Sequence, residues 1–405
     1  MPRKRTVCIF TGSRAEYGLL KPLMEEIKKD PEIRLQILVS GMHLSPEFGM
    51  TYKSIEQDGF RIDEKIEILM SADTSTGICK SVGMGMISFS DAFLRLLPDM
   101  VVILGDRFES FSAAASAMIC RIPIVHIHGG ELTQGAMDDS IRHAITKMSH
   151  IHFTSTKEYR RRVIQMGECS DLVFNVGALG VDSISKMNLL SKREFEEKAG
   201  FKVSKKSFMV TFHPVTLDTQ KTRDSIENIF HALDYFPDYF VIFTKANADE
   251  AGRMINHMIE DYVEKRELSI TVASLGQLLY LSALNFVDAV IGNSSSGIIE
   301  VPSFRIPTIN IGDRQKGRIC AKSVLNCPPE TSAIVAALNH GLSKAFKQDL
   351  ADTRNPYEKK GTIQAIQNKL KTVKLDDIIK KEFNDGEWKL KHADNNEMLR
   401  SEKRR

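Results

Sequence analysis

Ile291–Ser303 reads IGNSSSGIIEVPS, and the parsing of this stretch decides the fold. Upstream, Phe286–Ile291 (FVDAVI) is a short apolar run closed by Gly292-Asn293, the pattern of a buried parallel strand. Three serines and Gly297 follow, and then an apolar segment carrying Glu300. That is a strand, a tight turn of small residues and a helix N-terminus, with Glu300 expected in the first helical turn. Free backbone N–H groups and the helix dipole make such a terminus an anion site, and Ser294, Ser295 and Ser296 add donors. A carboxylate beside a phosphate fits if it accepts bonds from hydroxyls, as a ribose diol supplies. The plainer reading of the same residues is a serine-capped helix with a dipole-favoured Glu.

The same alternation extends toward the N-terminus. Thr6–Phe10 is a β-rich run ending at TGSRAEYG (Thr11–Gly18), followed by Leu19, Leu20, Leu23, Met24 and Ile27 at helical spacing. The turn is neither GxGxxG nor a Walker A loop, so neither nucleotide fingerprint applies. Arg14 is placed where it meets a phosphate bidentately or is a surface residue of a βα loop. Leu35–Val39 is a strand, Ile55–Met70 holds another, and Gly83–Leu97 is a helix closed by Pro98. Met100–Leu104 is a continuous apolar strand ending at Gly105-Asp106-Arg107, with a helix of small residues over Ser112–Ile119. Pro123–Ile127 ends in HIHGGE (His126–Glu131), and alternation sets His126 and His128 on one face. Two histidines with no third well-spaced ligand read as hydrogen-bonding groups rather than a metal site. Asp138 or Asp139 starts the next helix, with Arg142 on the same face as one of them.

Asp106, His128, Glu131 and Asp138 therefore gather at or just past strand carboxyl ends. Such convergence of titratable groups on one rim is what proton transfer needs. Past strand His150–Thr154 and the Gly-punctuated stretch Gly177–Asp182, which suits a hinge, the alternation restarts. Its strands are Ser207–Phe212, Tyr239–Thr244, Ser269–Val272, the opening run and Pro307–Ile311. His213 follows the first of these, and Gly312–Arg318 (GDRQKGR) is a basic loop suited to diphosphate contact. The expected architecture is α/β: two doubly wound Rossmann-like domains facing a cleft. Their limits are 1–178 and 179–375, with a charged tail over 376–405 expected to fray at its end.

At 405 residues the chain has room for two cores. Its net charge of +3 is small, and much of its basic charge lies at the ends, so no nucleic-acid face is expected. The six cysteines (Cys8, Cys79, Cys120, Cys169, Cys320, Cys327) form no CxxC pair and read as reduced thiols. The N-terminal apolar run Val7–Phe10 is strand length, and nothing approaches the ~20 apolar residues of a membrane span. A cytoplasmic protein without membrane partners is expected.

Together these stretches resemble the hydrolysing UDP-N-acetylglucosamine 2-epimerases of bacterial sialic-acid synthesis. The resemblance rests on GSRAEYG (Gly12–Gly18), SGMHL (Ser40–Leu44), LGDRFE (Leu104–Glu109), HIHGGE and IRHAITKMS (Ile141–Ser149). It continues through FHPVT (Phe212–Thr216), IGNSSSGIIEVPS and INIGDRQKGR (Ile309–Arg318), in collinear order. More distantly the chain is similar to the GT-B sugar-nucleotide enzymes. The resemblance implies anti elimination of UDP through a 2-acetamidoglucal, then hydration to the free 2-epimeric sugar, with no metal or other cofactor. The sugar ranked first is N-acetylglucosamine, giving N-acetylmannosamine; the 2,4-diacetamido-2,4,6-trideoxy sugar of legionaminic-type synthesis is the close alternative, and a non-hydrolysing 2-epimerase or a GT-B glycosyltransferase are less favoured ones. By the same resemblance Arg14, Arg107, His213, Ser294, Ser295, Ser296 and Gly297 hold the UDP-sugar, with Arg314 and Arg318 helping at the diphosphate. Glu300 takes the ribose, and Asp106, Glu131, Asp138 and His128 are the acid/base set. His128 stands where many relatives carry a carboxylate, so the identity of the C2 base stays open. A homo-oligomer, dimer or tetramer, is implied as well.

Overall fold

A computed structural model describes residues 3–70, 74–134, 136–214, 219–246 and 252–385 of the chain. The first sheet contains β1 (Arg5–Thr11), β2 (Ile33–Ser40), β3 (Glu64–Ile66), β4 (Met100–Leu104), β5 (Ile124–Ile127), β6 (Ile151–Thr154) and β7 (Val173–Asn175). The second contains β8 (Ser207–Thr211), β9 (Phe240–Thr244), β10 (Ser269–Val272), β11 (Ala289–Gly292), β12 (Thr308–Ile311) and β13 (Val324–Cys327). Their orders are β3-β2-β1-β4-β5-β6-β7 and β10-β9-β8-β11-β12-β13, parallel throughout. Each order reverses once, between β1 and β4 and between β8 and β11. Doubly wound sheets bind ligands at the carboxyl edge beside such a reversal.

Helices cover both faces of each sheet, so central strands are apolar on both sides. Along β4 all five residues are buried. Val102 and Leu104 pack with Leu20, Leu23 and Met24 on one face, while Val101 and Ile103 meet Phe89, Phe93 and Ala113 on the other. The second sheet is sandwiched in the same way.

Four features depart from expectation. The stretch Ile55–Met70 holds the end of a helix, Tyr52–Gln57, and only the three-residue β3. Strand β13 was not anticipated, and the helix read as Gly83–Leu97 spans Ser75–Leu96, capped by Thr74 on the Gly77 N–H at 3.1 Å. The fourth departure is the domain limit. Helix Thr362–Thr372 does not stay with the second unit but returns to the first. There Ile363, Ile366 and Leu370 join the core lined by Leu20, Leu23, Met24 and Ile27 of helix Arg14–Lys29. Gln367 and Lys371 reach Asp30 just past that helix.

The chain therefore crosses between units twice. The two crossings are bonded to each other: the Ala178 N–H donates to Tyr357 O at 3.0 Å, and the Thr362 hydroxyl to Val176 O at 2.6 Å. Asp182 accepts from the Gly361 N–H at 3.1 Å.

Up to residue 385 the tail lies along the first unit, with Lys381 paired to Glu168 at 2.7 Å and Phe383 against Gly167. The rest of the tail, 386–405, the loop 247–249 and residues 215–216 of FHPVT lie outside the described residues. No described helix is long and apolar enough to cross a membrane.

Ile366 is fully buried between the returning helix and the first unit. Ile366→Ala is expected to lower the free energy of unfolding by about 2–5 kcal/mol, read by urea denaturation. A loss below about 1 kcal/mol would mean the helix is not part of that core.

Candidate active site

β4 and β5 are neighbours, so the residues just past them share one rim. His126, the third residue of β5, aims Nε2–H at Gly105 O at 2.8 Å, and its other nitrogen is 3.1 Å from the Thr146 hydroxyl. Burial drives its pKa to about 3, so this ring is a neutral structural group. The strand stops at Ile127, and His128 adopts a left-handed φ of 68° that non-glycine residues rarely take. Backbone strain of this kind concentrates at functional sites. Gly129 and Gly130 then complete the turn where no side chain fits; a Cβ on Gly130 would lie 2.6 Å from Tyr159 O. The two histidines do not act as a facing pair. His128 instead brings Nδ1 to 3.5 Å from Glu131 Oε1.

Glu131 is 2% exposed and fully engaged. Its Oε1 accepts from the Ser155 hydroxyl at 2.7 Å, and its Oε2 is 2.8 Å from Arg318 Nη1 of the second unit. Burial lowers the His128 pKa below its ordinary value, with Arg318 adding and Glu131 opposing. Its Nε2 is buried with no hydrogen-bond partner among the described residues.

Asp106, past β4, is paired with Arg142. Arg142 is the hub that sequence reasoning did not select. It is buried, and it also donates to Glu131 O at 2.9 Å and to the Thr133 hydroxyl at 2.7 Å. The signal was present, since Arg142 follows two aspartates at helical spacing. The structure chooses Asp139, at 3.5 Å, as its helical partner. Asp138 is half-buried in the first turn of helix Met137–Met148.

On the second unit, β8, β11 and β12 end together. The Asn293 side chain clamps the His213 backbone, accepting from its N–H at 2.7 Å and donating to its O at 2.8 Å. Asn293 O in turn accepts from Arg314 at 3.0 Å and Gln315 at 2.8 Å. Three loops are thus tied through one asparagine.

The serine turn departs from its expected form. The helix beginning at Ser296 is a single turn, Ser296–Ile299, followed by a 3-10 turn, Val301–Phe304, that begins with Val301-Pro302. Proline cannot continue the α-helical bonding. Glu300 lies at the junction rather than in a first helical turn, and one turn has little dipole to offer an anion. The donors here are the serine hydroxyls; that of Ser296 is 2.8 Å from Tyr280 Oη. Glu300 fits against Gly180 at the crossing, and burial raises its pKa to about 7, Ser296 opposing and Glu131 adding.

The two rims touch. Arg14 reaches across to Gly276, where a Cβ would lie 2.6 Å from its guanidinium. Arg318 donates to Leu132 O at 2.7 Å besides pairing with Glu131. Next to it, the Ile319 N–H donates to Tyr159 Oη at 3.0 Å, and Tyr357 Oη donates to Ile319 O at 2.9 Å. The two tyrosine hydroxyls are 2.9 Å apart, closing a ring across both units. Arg107 is held by Glu109 at 3.2 Å. Arg14 thus shares the first unit with Asp106, His128 and Glu131, while His213, the serines, Glu300 and Arg314 belong to the second. Among the described residues no three His, Cys, Asp or Glu side chains gather at metal-binding spacing.

A family model described as UDP-N-acetylglucosamine 2-epimerase matches residues 25–371. The chain is 45% identical to GDP/UDP-N,N'-diacetylbacillosamine 2-epimerase (hydrolyzing) of Campylobacter jejuni, over 94% of this chain and 99% of that protein. It is 40% identical to polysialic acid biosynthesis protein P7 of Escherichia coli, over 94% and 96%. The UDP-GlcNAc 2-epimerase of Neisseria meningitidis bound to UDP-GlcNAc shares the fold, with a TM-score of 0.77 at 18% identity over 90% of this chain and 99% of that one. With the family model covering most of the chain and full-length relatives so similar, the chain belongs to the UDP-N-acetylglucosamine 2-epimerase family and is an enzyme of the hydrolysing type.

Proposed function

We propose that the enzyme hydrolyses a nucleotide-linked 2-acetamido sugar with inversion at C2, and that His128 Nε2 takes the C2 proton. The observation that carries this assignment is the buried, unpartnered Nε2 beside carboxylates that are already occupied. A base must be unprotonated and within reach of a weakly acidic C–H. Glu131 has both oxygens engaged and Asp106 is paired with Arg142, whereas His128 is kept neutral by burial. Glu131 orients the imidazole through Nδ1.

As the C2 proton leaves, the C1–O bond breaks with its electron pair passing to the diphosphate, and a C1=C2 glycal forms. Water then adds its oxygen to C1 and a proton to C2 on the opposite face. Charge growing on the leaving diphosphate needs fixed donors. Arg14, Ser294, Ser295, Ser296 and Arg314 are the groups we assign to it, and Glu300 accepts from the ribose diol. The product is the free 2-epimeric sugar with the nucleoside diphosphate.

The sugar we favour is 2,4-diacetamido-2,4,6-trideoxyglucose, that is N,N'-diacetylbacillosamine, after the name of the 45% identical relative. This reverses the order of the two sugars as ranked from sequence. Hydrolysis of UDP-N-acetylglucosamine to N-acetylmannosamine for sialic-acid synthesis is the second reading, favoured by the 40% identical polysialic acid protein.

Proton NMR in D2O decides among these readings. The UDP- and GDP-linked diacetamido sugars and UDP-N-acetylglucosamine are each incubated with the enzyme. Free 2-epimeric sugar deuterated at C2 is expected; retention of the C2 proton, or no turnover of any of them, refutes the elimination. Conversion of only UDP-N-acetylglucosamine would select the second reading.

His128→Asn is expected to cut kcat by about 10²–10⁴-fold while nucleotide affinity holds. For the unaltered enzyme the acid limb of kcat/KM should lie below pH 6.5, because the base works deprotonated and its pKa is lowered. An acid limb unchanged in a still-active His128→Asn variant would remove this assignment.

Arg318→Ala leaves Glu131 buried without its cation, a loss of roughly 3–5 kcal/mol for such pairs. The units are expected to part, seen as a larger radius of gyration by small-angle scattering, with kcat/KM down by more than about 10-fold. An unchanged radius and rate would show that the pair does not hold the cleft.

A further inference from the structure

Three motifs of the first unit meet at a buried carboxylate that neither the proton transfer nor the leaving group uses. Glu109, the last residue of LGDRFE, is fully out of water in the first turn of helix Phe108–Ile119. It has room because two other motifs supply glycines. A Cβ on Gly12 of GSRAEYG would lie 3.2 Å from Glu109 Cβ. A Cβ on Gly41 of SGMHL would lie 2.9 Å from Glu109 Oε1, and Gly41 also takes a φ of 60°.

A second carboxylate shares this space. Glu16 Oε2 accepts from the Gly12 N–H at 2.7 Å and the Ser13 N–H at 3.1 Å. Its Oε1 is buried with no hydrogen-bond partner among the described residues. The side chains of Glu16 and Glu109 thus flank Gly12, and like charges held side by side out of water do not both stay ionised cheaply. Arg107 decides between them. Its Nε is 3.2 Å from Glu109 Oε2 and its Nη2 3.5 Å from Oε1, whereas Glu16 has no ion-pair partner among the described residues. Burial, with Glu109 adding and Arg107 opposing, raises the Glu16 pKa to about 7.

We propose that Glu109 is a positioning residue that aims Arg107 at the diphosphate, and that Glu16 carries the proton that lets Glu109 keep its charge. Arg107 directly follows Asp106 past the carboxyl end of β4, and its side chain keeps 12% exposure at that rim. The other two arginines there are committed, Arg142 to Asp106 and Arg318 to Glu131. The proposal rests on the reading of the cleft as a nucleoside-diphosphate site, but not on the sugar or the identity of the base. It has a consequence for binding. Above about pH 7 Glu16 loses its proton, and a second negative charge behind Arg107 weakens the pull on a bound diphosphate. Two other titratable groups reach this turn. Arg14 lies two residues before Glu16 on the same helix, and His43 is 3.0 Å from the Thr11 hydroxyl. Burial lowers the His43 pKa to about 4, so its ring stays neutral through this range.

Calorimetric titration of the full chain with UDP, between about pH 6.5 and about pH 8.5, tests it. UDP carries no sugar, so the result is separate from the assignment of the base. Its own phosphate ionisation, near pH 6, is common to every variant. Glu16→Gln keeps the acceptor for Gly12 and Ser13 but cannot ionise. Across this range the Kd of the unaltered enzyme is expected to rise by about 5-fold or more relative to that of Glu16→Gln. Glu109→Gln should weaken UDP several-fold at every pH, and Glu109→Asp, which keeps the charge, should recover part of the loss. If Glu109→Gln does not fold, Arg107→Gln serves and should weaken UDP as well. The same pH course in Glu16→Gln and the unaltered enzyme, or a Kd indifferent to Glu109→Gln or Arg107→Gln, would overturn the proposal alone. An unaltered enzyme that does not bind UDP would overturn the diphosphate reading and the proposal with it.

Discussion

The pair between Glu131 and Arg318 joins the two units through buried charge. Both side chains are out of water, and removing either leaves the other with an uncompensated desolvation cost. Much of the cleft's geometry follows from bringing these two groups together. The carboxylate reaches its place because His128, Gly129 and Gly130 turn the chain sharply after β5. The guanidinium reaches its own because the loop after β12 lies low enough for Gly317 to rest on Leu132. Neighbouring contacts then fall into line: the tyrosine ring beside Ile319, and Arg142 beneath Glu131 O.

Two networks organise the rims. On the first unit charges are held in pairs, Asp106 with Arg142 and Glu131 with Arg318 of the second unit, and the group left neutral beside them is a histidine. On the second unit neutral amides do the holding, with Asn293 binding His213, Arg314 and Gln315. The contrast matches the proposed division of labour. Proton transfer is governed by the protonation states that charges impose, whereas a leaving anion needs fixed donors.

The two-sheet plan was legible because parallel strands buried on both faces are apolar without interruption, as in Met100–Leu104, and their ends are marked by Gly-Asp or His-Gly-Gly. Motif positions at strand ends could be placed for the same reason. What escaped was set by contacts distant in sequence. Arg318 read as a basic loop residue, since nothing local says that its partner is Glu131. Val324–Cys327 alternates with polar residues because it is an edge strand, and so lacks the continuous apolar signal. The apolar positions Ile363, Ile366 and Leu370 lie at helical spacing, but that spacing does not say which unit the helix covers. The one-turn helix at Ser296 was overextended because the weight of Pro302 six residues on was not counted.

The return of helix Thr362–Thr372 bears on how the polypeptide is made. Units of a multidomain chain generally fold in the order in which they leave the ribosome. Here the first unit cannot complete its core then, because Ile363, Ile366 and Leu370 are still unsynthesised or within the exit tunnel. The second sheet, contiguous from β8 to β13, is free to form earlier, while part of the apolar side of helix Arg14–Lys29 waits uncovered. The first-made half of this enzyme is the last to be finished, and premature termination anywhere before residue 372 leaves a sticky, incomplete N-terminal unit for the cell's chaperones and proteases to handle.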